Sequence, residues 1–304
     1  MKKSHRKFAT ILLLVVGLLV LSSCGGGDAE ALEKPIQGFA GFWDIFVWPM
    51  AALMYAVGKT AAFGSYGIVI LITTLIVRTA AWPIYAKTND MSLKMQLVGP
   101  EQAKLEAKYA GKADPESNQR KQMEMMQLYK KYGIGIGGCL LPLIQFPIFI
   151  SFYRTLQRIP VTRGAEFPLD FGFLKGSIFG LDLFAGIGES GMQKWGIIGL
   201  AALVGITQIV SQILMNRRQK KIKEQSQSSV PAYRQPQQTD QQRQSEIMMK
   251  VMMYGMTVMM VVFVYRSTAA LGLYWLIGNV FTTLQGYISH KQSGSRLEKL
   301  KSKM

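Results

Sequence analysis

One arginine stands inside a long apolar run, and its charge is the chain's clearest candidate for chemistry. The run extends from Ser65 to Ala86 and holds Arg78 as its only charged residue. An arginine at the centre of a membrane helix costs about 2.5–3.5 kcal/mol on translocon scales, so it is retained where its surroundings are polar and usually where it has a function. We therefore expect Arg78 to face a wet cavity in a helix bundle and to attract anionic groups. The alternative is that its side chain snorkels to nearby lipid headgroups.

The sequence offers no comparable set of residues for catalysis or metal binding. Its two histidines, His5 and His290, lie outside the apolar runs. Its two cysteines, Cys24 and Cys139, give no disulfide framework and no zinc-like cluster. An intramembrane enzyme needs a nucleophile with a base, or metal ligands. We therefore expect no cofactor and no enzymatic activity.

Four further apolar runs follow the first one. Since a helix rises 1.5 Å per residue, about 20 residues cross a bilayer's hydrocarbon core. The sequence predicts an all-α integral membrane protein with five transmembrane helices, at residues 65–86, 134–156, 195–215, 247–265 and 269–289. Two glutamines of the third run, Gln208 and Gln212, lie on one flank, where they could line a wet groove or only bind neighbouring helices.

Composition supports a membrane protein. Apolar residues make up 49% of the chain and the mean hydropathy is +0.16, yet the formal net charge is +17. Soluble domains rarely combine these properties.

The N-terminal residues predict a lipoprotein signal peptide. Basic residues precede an apolar stretch from Phe8 to Leu21, and Leu21-Ser22-Ser23-Cys24 is a small-residue cleavage site. This site is similar to the lipobox of bacterial lipoproteins, whose cysteine receives lipid such as palmitate and becomes the new N-terminus. We expect residues 1–23 to be removed and Cys24 to be lipidated outside the cytoplasm. The alternative is an ordinary signal peptide.

Residues 24–64 predict an external tether followed by an amphipathic helix in the membrane interface. Five large apolar residues recur there at helical spacing: Phe39, Phe42, Trp43, Phe46 and Met50. Aromatic rings prefer the interface. An additional span is the alternative, and Asp44, Pro49 and Lys59 argue against it.

The segments between the spans differ in charge. Residues 87–133 predict a charged helical hairpin. Its first helix runs from about Asp90 to Tyr109 with a break at Gly99-Pro100, and its second helix begins at an Asp114 N-cap and ends at Gly133. Residues 157–194 predict an irregular external loop, residues 216–246 a disordered linker, and residues 290–304 a basic tail.

Charge distribution sets the orientation. The hairpin, the linker and the tail carry most of the lysine and arginine, so we expect these three segments in the cytoplasm. An external N-terminus with five spans gives the same result. Topology thus accounts for most of the positive charge, and nucleic-acid binding is not required, although the tail could contact anionic lipid or ribosomal RNA.

Four motifs follow one another along the chain. They are LIVRTAAWPIYAK in the first span, MMQLYKKYG at the end of the hairpin, GGCLLPLIQFPIFISFY in the second span and GLYWLIGNVFTTLQ in the fifth. In this order they resemble the YidC/Oxa/Alb family of membrane protein insertases, over roughly Gly64 to Lys291. The chain is most similar to the five-span lipoprotein form of Gram-positive bacteria.

The resemblance implies a hydrophilic groove that is open to the cytoplasm and to lipid but closed to the outside. Arg78 matches the family's groove arginine. The remaining candidate groove residues are Gln145, Gln208, Gln212, Trp275 and Asn279. In the implied mechanism, Arg78 attracts acidic residues of a substrate's tail, and the substrate's hydrophobic segment leaves along the second and fourth spans into lipid.

The implied function is that of an insertase and chaperone of the bacterial plasma membrane, which inserts and helps fold membrane proteins without ATP hydrolysis. The implied partners are nascent membrane proteins, membrane lipids, the Sec translocon when the chain does not act alone, and the ribosome through the basic tail. The alternative is a secondary transporter or channel with a polar midplane site. Transporters usually show internal repeats and a paired acidic residue for ion coupling, and the five runs show neither.

Overall fold

The structure is a computed structural model that describes part of the chain. The described residues are 35–36, 38–39, 42–109, 114–134, 145–164, 169–186, 190–227 and 240–301. The predicted signal peptide, Cys24 and Cys139 lie outside these ranges, and so does the side chain of Gln145. The described part is mostly helical, in agreement with the predicted all-α class.

Eight helices and one small β-hairpin make up the described residues. The helices are α1 (Asp44–Thr60), α2 (Tyr66–Ala80), α3 (Trp82–Lys108), α4 (Pro115–Lys131), α5 (Gln145–Thr162), α6 (Gly191–Gln227), α7 (Asp240–Arg266) and α8 (Ala269–Lys301). Strands β1 (Ser177–Ile178) and β2 (Leu181–Asp182) pair antiparallel between α5 and α6.

The last helix, α8, lies at the centre of the bundle. It packs against α2, α3, α5, α6 and α7. Its Tyr274 is fully buried and stacks on Phe152 of α5 with ring centroids 4.4 Å apart. The start of α8 is held by the β-hairpin segment, because Ala269 N donates to Ala185 O and Ala270 N donates to Leu183 O. These bonds satisfy two of the N–H groups that a helix leaves free at its first turn.

One helical stretch among the described residues is long and apolar enough to cross a membrane. It is Gly191–Arg218 of α6, with 28 residues. Two shorter apolar helices, Tyr66–Ala80 and Met253–Arg266, lie within or overlap the predicted first and fourth spans.

The first predicted span is divided in the structure. Helix α2 ends at Ala80 and α3 begins at Trp82, with Ala81 between them. Pro83 lies in the first turn of α3, where its missing N–H is tolerated. The division therefore places the end of α2 directly after Arg78.

Helix α1 lies in the segment for which an amphipathic helix is predicted, but it begins at Asp44, after Phe39, Phe42 and Trp43. A buried ion pair joins α1 to α5. Asp44 at the start of α1 accepts a hydrogen bond from Arg158 of α5, and both side chains are almost fully buried. Arg158 also donates to Pro35 O at 2.8 Å. One turn earlier on α5, the Arg154 guanidinium lies 4.8 Å from the Trp43 ring centroid. Two arginines of α5 thus hold the start of α1.

Helices α3 and α4 pack against each other, as predicted for the charged segment. Asp114 caps α4 by accepting a 2.7 Å hydrogen bond from Ser117 N, as predicted, and Gly133 with φ +61° follows the helix end. The predicted break at Gly99-Pro100 is wrong, because α3 continues through it. Val98 is fully buried and packs against Tyr132, which follows α4. The free energy gained by this packing offsets the cost of the helix hydrogen bond that is lost at Pro100.

Two carboxylates link α3 and α4 and make the pairing sensitive to acid. The hydrogen bond from Tyr132 and the neighbouring Lys131 lower the pKa of Glu101. The hydrogen bonds from Lys108 and Tyr109 lower the pKa of Glu124. A carboxyl group with a lowered folded-state pKa contributes stability above its ordinary pKa, about 4.3 for glutamate, and loses it as the pH falls further.

We therefore expect the contact between α3 and α4 to loosen as the pH falls below about 4.3, while the apolar packing of Val98 and Tyr132 remains. Spin labels at Ala107→Cys and Gln127→Cys, in the full chain with Cys139 replaced by serine, should give a longer and broader distance distribution at pH 3.5 than at pH 6. The variant Glu101→Gln should lose part of this difference, and Glu101→Gln with Glu124→Gln should lose all of it. An unchanged pH response in the double variant would contradict the assignment.

Three predicted boundaries are wrong. Helix α5 passes Pro160 and ends at Thr162, so the external loop begins later than residue 157. The predicted linker at 216–246 is helical at both ends, since α6 continues to Gln227 and α7 begins at Asp240. Lysine, arginine and glutamine are good helix formers, and an established helix adds such residues readily.

Candidate functional site

Arg78 lies between α2 and α8, in the last turn of α2. Its Nη1 donates to Thr282 Oγ1 at 2.9 Å, and its guanidinium also hydrogen-bonds the Tyr274 side chain. A Cβ added to Gly278 would lie 2.5 Å from Nη2 of Arg78. Tyr274, Gly278 and Thr282 are each four residues apart, so they form one face of α8. That face fixes the guanidinium, and its glycine leaves the room that the guanidinium occupies.

Several buried polar atoms of α2 and α8, the two helices that flank Arg78, have no hydrogen-bond partner among the described residues. Nε of Arg78 is one of them. Thr74 Oγ1, one turn earlier on α2, and Gln285 Nε2, one turn after Thr282, are two more. Buried polar groups in proteins are nearly always hydrogen-bonded to protein or water. Arg78 and the adjoining turns of α2 and α8 therefore hold spare donors and acceptors for water or for polar groups of a ligand.

The positive charge of Arg78 has no carboxylate partner within the described ranges. The ion pairs seen there include four between other residues: Lys108 with Glu124, Arg120 with Glu116, Lys131 with Glu101 and Arg158 with Asp44. Partly buried charges are costly unless they are paired or hydrogen-bonded. Among the described residues, Arg78 is held by neutral hydroxyl groups and its charge is not neutralised by a carboxylate.

The other predicted groove residues lie on a different surface. Gln212 of α6 donates to Thr257 Oγ1 of α7 at 2.7 Å. Asn279 of α8 donates to Thr207 Oγ1 of α6 at 3.1 Å. Both side chains are buried and join neighbouring helices, which is the second of the two roles predicted for such polar flanks. Gln208 is partly buried on α6.

Trp275 belongs to an aromatic cluster that lies where α5, α7 and α8 meet. Its ring centroid is 5.4 Å from that of Phe149 on α5. Phe263 of α7 lies 5.0 Å from Tyr153 and 6.1 Å from Phe149 of α5. The indole Nε1 of Trp275 is buried and has no partner among the described residues. Aromatic side chains thus form the contact between α5 and α7.

Comparison with known proteins identifies the family. The family model described as 60Kd inner membrane protein matches residues 58–296. This is the model of the YidC/Oxa/Alb proteins. The chain belongs to the YidC/Oxa/Alb family.

Relatives in the YidC/Oxa/Alb family cover nearly the whole chain. A protein named membrane protein insertase YidC 1 from Halalkalibacterium halodurans is 31% identical over 288 residues, which are 93% of this chain and 91% of the relative. Membrane protein insertase YidC 2 of Bacillus anthracis is 29% identical over 93% of each chain. Membrane protein insertase MisCA of Bacillus subtilis is 28% identical over 93% of this chain and 91% of the relative.

Membership of the YidC/Oxa/Alb family confirms the resemblance seen in the sequence, but the residues around Arg78 were incompletely predicted. The sequence singled out Arg78, and it missed Thr74, Tyr274, Gly278 and Gln285. The spacing of four residues from Tyr274 through Gly278 to Thr282 is the signal that could have found the α8 face. The chosen residues of α8, Trp275 and Asn279, are each one position further along and point to a neighbouring surface.

Proposed function

We propose that the chain is a membrane protein insertase that inserts and helps fold nascent membrane proteins in a bacterial plasma membrane. The observation that carries the proposal is Arg78, a partly buried cation between α2 and α8 with a spare donor and no carboxylate partner in the described part of the chain. The relatives' printed name, membrane protein insertase, agrees with it. The chain is proposed to need no cofactor and no ATP.

The groove is formed by the polar surroundings of Arg78. Water in this space would satisfy Thr74 Oγ1, Gln285 Nε2 and Arg78 Nε, which are buried without a partner among the described residues. A hydrated pocket shortens the apolar distance that a polar segment must cross. The charge of Arg78 acts strongly there, because charges interact more strongly where the effective dielectric constant is below that of water. Acidic residues of a substrate's tail are held at Arg78 before they move outward.

The substrate's apolar segment leaves between α5 and α7. These helices correspond to the second and fourth proposed spans, and the rings of Phe149, Tyr153 and Phe263 form their contact. Rings can move apart without breaking backbone hydrogen bonds. Burial of the segment in lipid supplies about 25 cal/mol per Å² of apolar surface, which drives release.

The proposed topology has five spans, a lipidated external N-terminus at Cys24 and a cytoplasmic C-terminus. Helix α1 closes the outer end of the groove, where the Arg158 and Asp44 ion pair holds it against α5. The α3–α4 hairpin and the basic end of α8 lie in the cytoplasm. There the hairpin recruits substrate, and the basic end meets the ribosome and anionic lipid. The Sec translocon is a partner for those substrates that the chain does not insert alone.

Reconstitution tests the proposed function. Proteoliposomes with the purified chain should protect the external tail of a newly made single-span protein from added protease, whereas liposomes without the chain should not. Equal protection in both preparations would contradict the proposal. Uptake of small solutes by the same proteoliposomes, at a rate above that of empty liposomes, would instead favour a transporter or channel.

Placement of Arg78 by Gly278 can be tested with a matched pair of glycine variants. Gly278→Ala should reduce insertion severalfold, because the new Cβ displaces the guanidinium. Gly199→Ala in α6 should leave insertion unchanged, because the Cβ that the alanine adds would lie more than 4 Å from any neighbouring atom in the described structure. Both changes raise helix propensity by up to about 1 kcal/mol, so a difference between them reports the site and not the helix. Equal insertion by the two variants would show that Gly278 does not position Arg78.

A further inference from the structure

Two phenylalanines occupy turn positions that their side chains do not favour. Phe63, between α1 and α2, has φ +48° and is followed by Gly64 with φ +77°. Phe179, between β1 and β2, has φ +49° and is followed by Gly180 with φ +80°. Both turns are thus Phe-Gly pairs in the left-handed region. Asn-Gly is the preferred pair for such a turn, and a bulky residue there is strained.

Both phenylalanine side chains are also almost completely exposed. Phe63 is 92% exposed and Phe179 is 107% exposed. In water, each residue would combine backbone strain with an exposed ring of large apolar area. Neither cost is offset by a contact with the rest of the described chain. An apolar environment outside the protein would offset both.

The two turns are tied together at one end of the bundle. Lys175 N, just before β1, donates to Gly64 O at 2.7 Å, and Tyr66 N donates to Lys175 O at 3.0 Å. Gln193, in the first turn of α6, donates to Gly180 O and accepts from Asp182 N, each at 2.9 Å. The turn between α1 and α2, the turn of the β-hairpin and the start of α6 therefore lie together at one end of the bundle.

The same end continues into the helix that is long and apolar enough to span a membrane. That stretch, Gly191–Arg218, begins with Met192 and Trp195, which are 83% and 71% exposed. A spanning helix must enter the membrane interface at its end, and tryptophan is enriched there. Exposed Lys175 and Lys194 flank the apolar tips. This arrangement is typical of an interface where rings meet acyl chains and ammonium groups meet phosphates.

The geometry points to a lipid-binding surface formed by Phe63, Phe179, Met192 and Trp195, whose rings insert into the outer leaflet of a phospholipid bilayer. We call these residues the outer anchor. The outer anchor fixes the depth of the bundle in the membrane, and its role is separate from the handling of substrates. It rests on α6 spanning the bilayer and on the proposed orientation, which puts the start of α6 outside. It does not depend on the proposed insertase activity.

Depth-dependent quenching tests the outer anchor directly. The chain purified from membranes, with Cys139 replaced by serine and Cys24 kept for its proposed lipid, carries a nitrobenzoxadiazole-labelled cysteine at Phe63→Cys, Phe179→Cys or Gln119→Cys, in phosphatidylglycerol–phosphatidylcholine nanodiscs. The same chain without an added cysteine gives the background of any label at Cys24. Gln119, exposed on α4, is the aqueous control. The probes at 63 and 179 should be quenched at least twofold by lipids with a nitroxide near the headgroup and protected from iodide. Iodide quenching equal to that at Gln119 would overturn the proposal.

Asparagine variants test the anchor where cysteine disturbs the turn. Because asparagine favours the left-handed conformation, Phe63→Asn with Phe179→Asn should raise the apparent unfolding temperature if the rings lie in water. It should lower that temperature by several degrees in nanodiscs if the rings lie in lipid. A rise would overturn the proposal. Protection from iodide that appears only after another membrane protein is added would also overturn it, in favour of a protein-docking surface.

Discussion

Replacement of Arg78 by alanine is expected to lower insertion of a single-span protein with an acidic external tail by tenfold or more. Alanine removes the only charge that the described site offers to the tail, together with the hydrogen bonds to Thr282 and Tyr274. A hydrogen bond between the Arg78 guanidinium and a carboxylate of the tail should contribute about 1.5–3 kcal/mol, as hydrogen bonds to charged groups do. Each 1.4 kcal/mol corresponds to a factor of about ten. Arg78→Lys keeps the charge and should retain most of the activity. Protease protection of the tail, in membranes from a strain depleted of its own insertase, measures the effect.

Two controls separate charge from structure in this experiment. Thr282→Val removes the hydroxyl that orients Arg78 and leaves the cation, so its effect should be smaller than that of alanine at 78. A substrate whose tail has its acidic residues replaced by asparagine and glutamine should respond weakly to Arg78→Ala. If Arg78→Ala inserts the acidic substrate as well as the wild-type chain does, Arg78 only snorkels to headgroups and the groove-charge mechanism is wrong.

Loss of one partner of the buried ion pair should destabilise the chain more than most single substitutions. Asp44→Ala leaves the Arg158 guanidinium buried without its carboxylate, at the point where α1 docks on α5. Breaking a buried pair in this way costs about 3–5 kcal/mol. For a chain of this size we expect the apparent unfolding temperature in detergent to fall by about 5–10 °C. Differential scanning fluorimetry measures the shift.

The matched controls are a double variant and an exposed pair. Asp44→Leu with Arg158→Met removes both charges and should recover most of the lost stability, because no charge remains buried without a partner. Glu116→Ala breaks the exposed pair with Arg120 on α4 and should shift the unfolding temperature by less than about 2 °C. Equal shifts for Asp44→Ala and Glu116→Ala would show that the buried pair does not hold α1.

Local sequence signals predicted most of the helices and one part of the site. The apolar helix with Arg78 and the Asp114 cap depend on neighbouring residues alone, and both features are where the sequence placed them. The continuation of α3 through Gly99-Pro100 depends on Val98 packing against Tyr132, which is 34 positions away in the chain. Local propensity contains no information on such a contact.

The partners of Arg78 could not be predicted for the same reason. Thr282 lies 204 positions from Arg78, and the choice between two adjacent faces of α8 depends on the rotation of that helix against α2 and α6. Asn279 and Trp275 are as polar or as large as the residues on the neighbouring face. Only the packed arrangement assigns Asn279 to α6 and Thr282 to Arg78.

Photocrosslinking of a substrate during insertion tests the central claim most directly. A benzoylphenylalanine at Tyr85, an aromatic position within electrostatic reach of Arg78, should capture the acidic tail of a ribosome-bound single-span protein. The same probe at Tyr287, exposed on another part of α8, should capture little of it. Strong capture at Tyr85 that disappears with Arg78→Ala is the predicted result. Capture that is equal at the two positions, or that persists at Tyr85 without Arg78, would contradict insertion through the Arg78 groove.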